Sequence, residues 1–147
     1  MNGYHISTNP ELLDLDLIHH YLAEKSYWAR GMSKAKLVVA LKHSLCFGVY
    51  NCKGQLVAFG RTITDKATFA YLSDVFVLEE YQGQGLGCWL VESIVKYPDL
   101  QGLRRMMLAT KDAHSLYAKF GFEMIKDETM LMQVTQPSLA PISDEAK

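Results

Sequence analysis

Glycines and glutamines alternate in one short stretch of the chain, and this stretch gives the clearest indication of a binding site. The stretch reads Gln82-Gly83-Gln84-Gly85-Leu86-Gly87. It follows a run of branched and aromatic residues typical of a strand, and it leads into leucines at helical spacing. Glycine tolerates positive φ and lets a ligand approach the backbone, and the N–H groups at a helix N-terminus bind anions. The sequence therefore predicts an anion site, for which a phosphate group is the natural ligand.

Several interpretations compete for this stretch. A P-loop requires Gly-x-x-x-x-Gly-Lys followed by Ser or Thr, and no such lysine is present. The dinucleotide fingerprint Gly-x-Gly-x-x-Gly is met by Gly83 and Gly85, but Cys88 stands in place of the third glycine. The pattern Gln/Arg-x-x-Gly-x-Gly/Ala is met at every fixed position by residues 82–87. For the motif taken alone, a glycine turn that serves only chain geometry remains the alternative.

A second motif lies about thirty residues downstream, and it reads Ala113-His114-Ser115-Leu116-Tyr117-Ala118-Lys119-Phe120-Gly121-Phe122. It is similar to the Ala-x-x-Leu-Tyr-x-Lys-x-Gly-Phe signature of the GNAT superfamily of acyl-CoA-dependent N-acyltransferases. The glycine stretch resembles the cofactor loop of that family, as does the strand before it, Leu72-Ser73-Asp74-Val75-Phe76-Val77. The resemblance covers about residues 45–133 and a two-helix start. It implies direct transfer of an acetyl group from acetyl-CoA to a primary amine, without a covalent enzyme intermediate.

The resemblance also implies which residues contact acetyl-CoA. The N–H groups of residues 82–87 would cradle the pyrophosphate, with Leu86 packed inward. Gln82 and Gln84 stand where the family often has basic residues, so binding would rest more on backbone dipoles than on charge. The remaining contacts would come from the strand before the loop and from the approach to the second motif: Val75, Phe76, Val77, Thr110, Ala113 and Tyr117.

Three residues would act on the reacting atoms. The N–H of Val75 would stabilise the oxyanion that develops on the thioester. Tyr117 would protonate the departing thiolate; for an aromatic residue on an amphipathic helix, the alternative is core packing. Asp74 would take the proton of the amine, and the alternatives are a structural hydrogen-bond acceptor at that position or a water chain that serves as the base.

The resemblance places the acceptor between the first two helices. Tyr27 and Trp28 lie in that break and would line the acceptor pocket together with Asp74; core packing is the alternative for the aromatic pair. The acceptor would be a small-molecule or protein amine, and a homodimer is compatible with the family. Two other functions stay open: a non-catalytic acyl-CoA-binding regulatory module, and a nucleotide-binding domain that uses the same cradle.

Composition narrows the class of protein. The chain has 147 residues, of which 49% are hydrophobic and 21% charged, as expected for one globular domain. A formal net charge of −1 gives no global field to attract nucleic acid or an anionic membrane. The three cysteines and five histidines lack metal-ligand spacing, so no metal is expected. The absence of a signal-like N-terminus and of a disulfide pattern favours the cytoplasm.

Strands and helices must position these residues, and the spacing of apolar residues changes along the chain between the period of a strand and that of a helix. The patterns predict strands over residues 4–7, 45–50, 55–64, 67–77 and 105–109, and helices that start at Asn9, Ser33, Gly85 and Asp112. A last strand or hairpin is predicted over 122–134. The order β-α-α-β-β-β-α-β-α-β-β predicts a mixed α/β (α+β) fold, with a mostly antiparallel central sheet and helices on both faces. Residues 1–135 would form a single domain, and residues 136–147 a mobile tail.

Overall fold

The central feature of the fold is one five-stranded sheet, seen in a computed structural model that describes residues 1–136. Its order follows the sequence, and neighbouring strands are antiparallel except for the parallel pair β4–β5. This arrangement confirms the predicted mixed α/β class. The strands are β1 (His5–Ser7), β2 (Leu45–Tyr50), β3 (Leu56–Thr64), β4 (Phe69–Val77) and β5 (Arg105–Leu108).

Each of the first two helices begins at a side-chain cap. The carboxylate of Asp14 accepts the N–H of Leu17, and the hydroxyl of Ser33 accepts the N–H of Lys36. The predicted cap at Asn9 serves only a short 3-10 turn, and the first helix is capped by Asp14, five residues later than expected. The helices are α1 (Leu15–His20, continued by a π-helical turn over Tyr21–Lys25), α2 (Lys34–Lys42), α3 (Leu86–Val95) and α4 (His114–Ala118).

Two apolar clusters hold the helices against the sheet. In one, the α3 side chains Leu86, Leu90 and Ile94 are buried with residues of β2, β3 and β4. In the other, the side chains of α1 and α2 pack with Phe59 and Phe76 of the same sheet. Because successive side chains of a strand point to opposite faces, β2, β3 and β4 each supply both clusters. The sheet is therefore covered on both faces, as predicted.

The stretch predicted as a last strand or hairpin takes another form. Residues 122–136 are irregular apart from a 3-10 turn over Glu128–Met130, so β5 has only β4 as a strand partner within residues 1–136. The alternation of apolar residues suggested a strand, but the methionines in it are exposed to solvent. Met124, Met130 and Met132 are 77%, 79% and 97% exposed. Strand preference reflects packing against neighbours, and here a groove of about 1240 Å³ separates much of this stretch from β5.

Two sequence-based expectations are not settled by these elements. The predicted tail lies, apart from residue 136, outside the described residues. The single domain over 1–135 stays a prediction.

None of the helices within residues 1–136 combines the length and the apolar character needed to cross a membrane.

Leu90 lies at the centre of the contact between α3 and the sheet and is fully buried. We expect Leu90→Ala to lower the free energy of unfolding by about 2–5 kcal/mol, because the change removes apolar contacts and leaves a cavity. Leu12→Ala is the matched control, since Leu12 is 48% exposed and should change stability by less than about 0.5 kcal/mol. Urea unfolding of both variants measures the difference; equal losses would contradict the assigned core.

Candidate active site

The two parallel strands, β4 and β5, separate at one side of the sheet, beyond Leu72 of β4. Pairing between β4 and β5 runs from Phe69 opposite Arg105 to Leu72 opposite Leu108, where β5 ends. Strand β4 continues to Val77 with only β3 as a strand neighbour within residues 1–136. Residues 73–77 therefore have one backbone edge without a strand partner within residues 1–136, and we call the gap between this edge and the end of β5 the cleft. Val75, Phe76 and Val77 of the predicted site lie on this segment.

A bulge in β4 marks the start of the free edge. Phe59 pairs with Phe76 and Arg61 with Ser73, so two residues of β4 lie opposite the single residue Gly60. One of the two, Asp74, has a φ of 58°, a left-handed conformation that costs a non-glycine residue about 1–2 kcal/mol. The extra residue reverses the facing of the side chains that follow.

The side chain of Asp74 is fully engaged at this bulge. One carboxylate oxygen accepts from Trp28 Nε1 at 2.9 Å, and the other accepts from Arg61 Nε at 2.7 Å. Arg61 also donates through Nη1 to the hydroxyl of Ser44 at 3.1 Å. The side chains of Arg61 and Asp74 are only 11% and 3% exposed. A buried ion pair with additional hydrogen bonds therefore holds the strained backbone in place.

The glycine loop joins the end of β4 to α3. Gly83 and Gly85 have φ values of 84° and 86°, which favour glycine, and Gly85 is the N-cap of α3. The first hydrogen bond of the helix runs from Trp89 N to Gly85 O, so the N–H groups of residues 86–88 have no acceptor inside the helix. The arrangement is a cradle of N–H groups suited to an anion.

The other loop residues fix this cradle to its surroundings. The side-chain amide of Gln82 donates to the carbonyl of Val77 at 2.9 Å. The Tyr4 hydroxyl donates to the side-chain oxygen of Gln84 at 3.1 Å. Leu86 is 1% exposed and packs inward, and a Cβ on Gly87 would lie 3.7 Å from Val77. The loop is thus anchored to β4 without a charged side chain.

Tyr117 lies on the other wall of the cleft, on α4. The turn before α4 is closed by Thr110, whose hydroxyl accepts the N–H of Ala113 at 3.0 Å. The Tyr117 ring is partly buried and meets Phe122 edge-to-face, with ring centroids 5.8 Å apart. Burial raises the pKa of Tyr117, and the neighbouring groups Tyr27 and Asp112 raise it further. The phenol is therefore protonated throughout the neutral range and can donate a proton.

Tyr27 and Trp28 connect the two walls. The Tyr27 hydroxyl accepts the N–H of Lys111 at 3.0 Å, and the Lys111 ammonium lies 5.3 Å from the centroid of the Tyr27 ring. The rings of Tyr27 and Trp28 meet edge-to-face with centroids 5.1 Å apart. Both residues are exposed, at 49% and 42%, so they are not core aromatics. Through Trp28 the pair reaches Asp74, and through Tyr27 it reaches the surroundings of Tyr117.

Side-chain contacts thus link Asp74 to Trp28 and Tyr27 to the segment before α4, and they add two residues that the sequence did not indicate, Arg61 and Lys111. Arg61 could have been suspected, because a charged residue in the middle of a largely buried strand needs a partner. Lys111 carries no local signal, since its contacts with Tyr27 join residues 84 positions apart. Within the described part of the chain, no group of three or more His, Cys, Asp or Glu residues is placed to hold a metal ion.

Comparisons with known proteins agree with this geometry. Residues 14–122 match the profile of the acetyltransferase (GNAT) family. An inferred acetyltransferase of Gibberella zeae is 36% identical, over 79% of this chain and 76% of its own length. The crystal structure of an inferred GNAT acetyltransferase from Xanthomonas campestris pv. campestris is 47% identical and superposes with a TM-score of 0.90, over 95% of this chain and 97% of that one.

A more distant structure shares the fold. A GNAT family acetyltransferase from Elizabethkingia anophelis, solved with acetyl-CoA bound, is 14% identical and has a TM-score of 0.64, over 86% of this chain and 80% of its own. The splayed strands, the glycine loop and these comparisons together lead to one conclusion. The chain belongs to the GNAT family of acetyltransferases and is a transferase.

Proposed function

We propose that the protein transfers the acetyl group of acetyl-CoA to a primary amine by direct attack within a ternary complex. One observation carries the proposal: the free edge of β4 runs from the bulge at Asp74 to Val77, and a single 3-10 turn joins it to the glycine cradle at the start of α3. A free strand edge can pair with amide groups of an extended ligand, and the cradle can bind its phosphates. Pantetheine amides followed by a pyrophosphate provide that combination in acetyl-CoA.

The residues of the cleft fit this cosubstrate. A Cβ on Gly83 or Gly85 would meet no atom within 4 Å, so the loop presents its backbone to open space. We assign the pyrophosphate to the N–H groups of residues 82–87 and the pantetheine arm to Val75, Phe76 and Val77. Thr110 and Ala113 are joined by a hydrogen bond, and we propose that both contact the cosubstrate on the side of α4.

The chemistry follows from the groups at the cleft. The amine nitrogen attacks the thioester carbon and forms the C–N bond, and the C–S bond breaks as the tetrahedral intermediate collapses. The N–H of Val75 is assigned to the oxygen that becomes negative in between. The proton of the Tyr117 hydroxyl passes to the departing thiolate, and the proton lost by the amine passes to a base. The products are an N-acetyl amine and free CoA.

Two groups are candidates for the base that accepts the proton of the amine: Asp74 and a water chain. Both carboxylate oxygens of Asp74 accept hydrogen bonds from Arg61 and Trp28, which supports a positioning role beside the proposed basic role. In that role Asp74 would hold Trp28 as a wall of the acceptor pocket. The two roles make different predictions for the Asp74→Asn variant.

The acceptor pocket is assigned to the exposed pair Tyr27 and Trp28 at the mouth of the cleft. Aromatic faces attract ammonium groups, and Lys111 already occupies one such position against Tyr27. The proposed acceptor is a small-molecule amine or an amine of a protein. We further propose that the enzyme acts in the cytoplasm, and a homodimer is compatible with this function.

Acetyl-CoA should stabilise the folded protein, because only the folded chain contains the cradle. At a hundredfold excess over Kd we expect Tm to rise by about 5–10 °C. Gly85→Ala should remove most of this rise, since a side chain at φ 86° strains the loop and moves its N–H groups.

Gly102→Ala is the matched control. Gly102 also has a positive φ, 77°, and an added Cβ there would likewise meet no atom within 4 Å. Both variants should lose similar stability without ligand, but Gly102→Ala should keep the full rise in Tm with acetyl-CoA. Differential scanning fluorimetry measures both; an undiminished rise in Gly85→Ala would contradict the pyrophosphate assignment.

Tyr117→Phe should lower kcat by roughly 10²- to 10⁴-fold, because it removes the proton donor for the thiolate. Its Kd for acetyl-CoA should stay within a few-fold of the wild-type value. Since burial raises the pKa of Tyr117, the wild-type rate should fall only as pH rises past that raised pKa, and the variant should lack this alkaline limb. Tyr97→Phe, on a tyrosine outside the cleft, is the control.

Single-turnover measurements across pH test this assignment. A Tyr117→Phe protein that keeps the wild-type rate would reduce Tyr117 to a packing residue. A wild-type protein that binds acetyl-CoA but transfers no acetyl group to any of a broad panel of amines would instead favour the binding-module alternative.

Asp74→Asn keeps the shape of the side chain and removes its charge. We expect a lower free energy of unfolding, because the buried Arg61 loses its ionic partner. For a basic role we also expect a fall in kcat at neutral pH that partly recovers as pH rises and more acceptor is neutral amine. Asp99→Asn, on an exposed carboxylate, controls for net charge. Reduced stability with a wild-type pH–rate profile would remove the basic role and leave the water chain.

A further inference from the structure

We propose that Lys119 supplies the positive charge that the glycine loop lacks and contacts a phosphate group of acetyl-CoA. This inference rests on the proposed function and adds a phosphate-binding side chain to it. It follows from where the ammonium group lies, from the charges around the loop, and from the absence of a carboxylate partner within the described residues.

The Lys119 side chain reaches the first turn of α3. Lys119 is the C-cap residue of α4, and its ammonium lies 3.9 Å from the sulfur of Cys88, 31 residues away in the sequence. Cys88 is the third residue of α3, so it carries one of the N–H groups that have no acceptor inside the helix. The ammonium thus lies beside the cradle assigned to the pyrophosphate.

The loop itself offers no cation. No lysine or arginine occurs between Lys66 and Lys96, whereas Glu79 and Glu80 stand just before the loop. The phosphates of acetyl-CoA carry several negative charges, and backbone dipoles alone would have to offset them beside two carboxylates. A cation from another part of the chain relieves this imbalance, and Lys119 is placed to provide it.

Lys119 is also available for a ligand. Among the ion pairs of residues 1–136, none involves Lys119. A thiol is a weak hydrogen-bond acceptor, so the contact with Cys88 positions the ammonium without satisfying it. The flexible lysine stem allows the ammonium to turn from the sulfur to a phosphate oxygen, with which it would form a charge-assisted hydrogen bond.

The experiment compares two ligands that differ in their phosphates. Lys119→Gln should weaken the binding of acetyl-CoA by about tenfold, and it should leave the binding of S-acetylpantetheine, which has the thioester but no phosphate, within twofold. Lys119→Arg should restore most of the affinity. In steady-state assays KM for acetyl-CoA should rise while kcat stays near the wild-type value, and the dependence of Kd on salt should become weaker.

Lys96→Gln is the matched control, because Lys96 follows the last residue of α3, roughly 15 Å from the cradle at 1.5 Å per residue. It should leave Kd for acetyl-CoA unchanged. If Lys119→Gln binds acetyl-CoA with wild-type affinity, or if its affinities for both ligands fall equally, the phosphate contact of Lys119 is overturned. The proposed function would not be affected by either result. A folded wild-type protein that binds neither ligand would reject the proposed function and this inference with it.

Discussion

The ion pair between Arg61 and Asp74 is the interaction on which the site depends. It joins β3 to the bulge of β4 at a position where the backbone of Asp74 adopts a strained positive φ. The strain persists because the carboxylate is buried and accepts hydrogen bonds at both oxygens, from Arg61 and from Trp28. If the pair were lost, an uncompensated guanidinium would stay in the sheet. Charge pairing at Asp74 therefore accompanies apolar packing at the bulge.

The bulge has consequences on both faces of the sheet. Before it, Ala70 and Leu72 pack in the cluster beneath α3; after it, Phe76 packs with α1 and α2, while Val75 faces α3. The bulge therefore shifts by one position which residues of β4 face each of the two clusters. The bulge also marks the point beyond which β4 leaves β5 and its outer edge becomes free for a ligand. Core packing therefore uses this irregularity through side chains, and the cosubstrate binding that we propose would use it through the backbone.

The electrostatics of the cleft are divided between its walls. The α3 wall offers N–H groups and no cation, whereas the α4 wall carries the protonated Tyr117 and the ammonium of Lys119. Tyr27 joins the wall formed around Trp28 to the segment before α4 through the N–H of Lys111. The groups to which we assign phosphate binding, proton donation and acceptor contact thus come from separate parts of the chain. The arrangement holds only when the helices are docked on both faces of the sheet.

The sequence by itself determined the local parts of this protein. The glycine turn before α3, the cap at Ser33 and the period of the strands are properties of neighbouring residues, so the α/β class was predictable. The motif around Tyr117 indicated the family. The tertiary structure alone decided the partners of Asp74, the link between Tyr27 and Lys111 and the position of Lys119, which join residues 13 to 84 positions apart. It also left 122–134 without a strand, because alternation specifies a strand only where a neighbouring edge pairs with it. Contacts between distant residues form only after folding has closed the chain between them, and no local pattern encodes them.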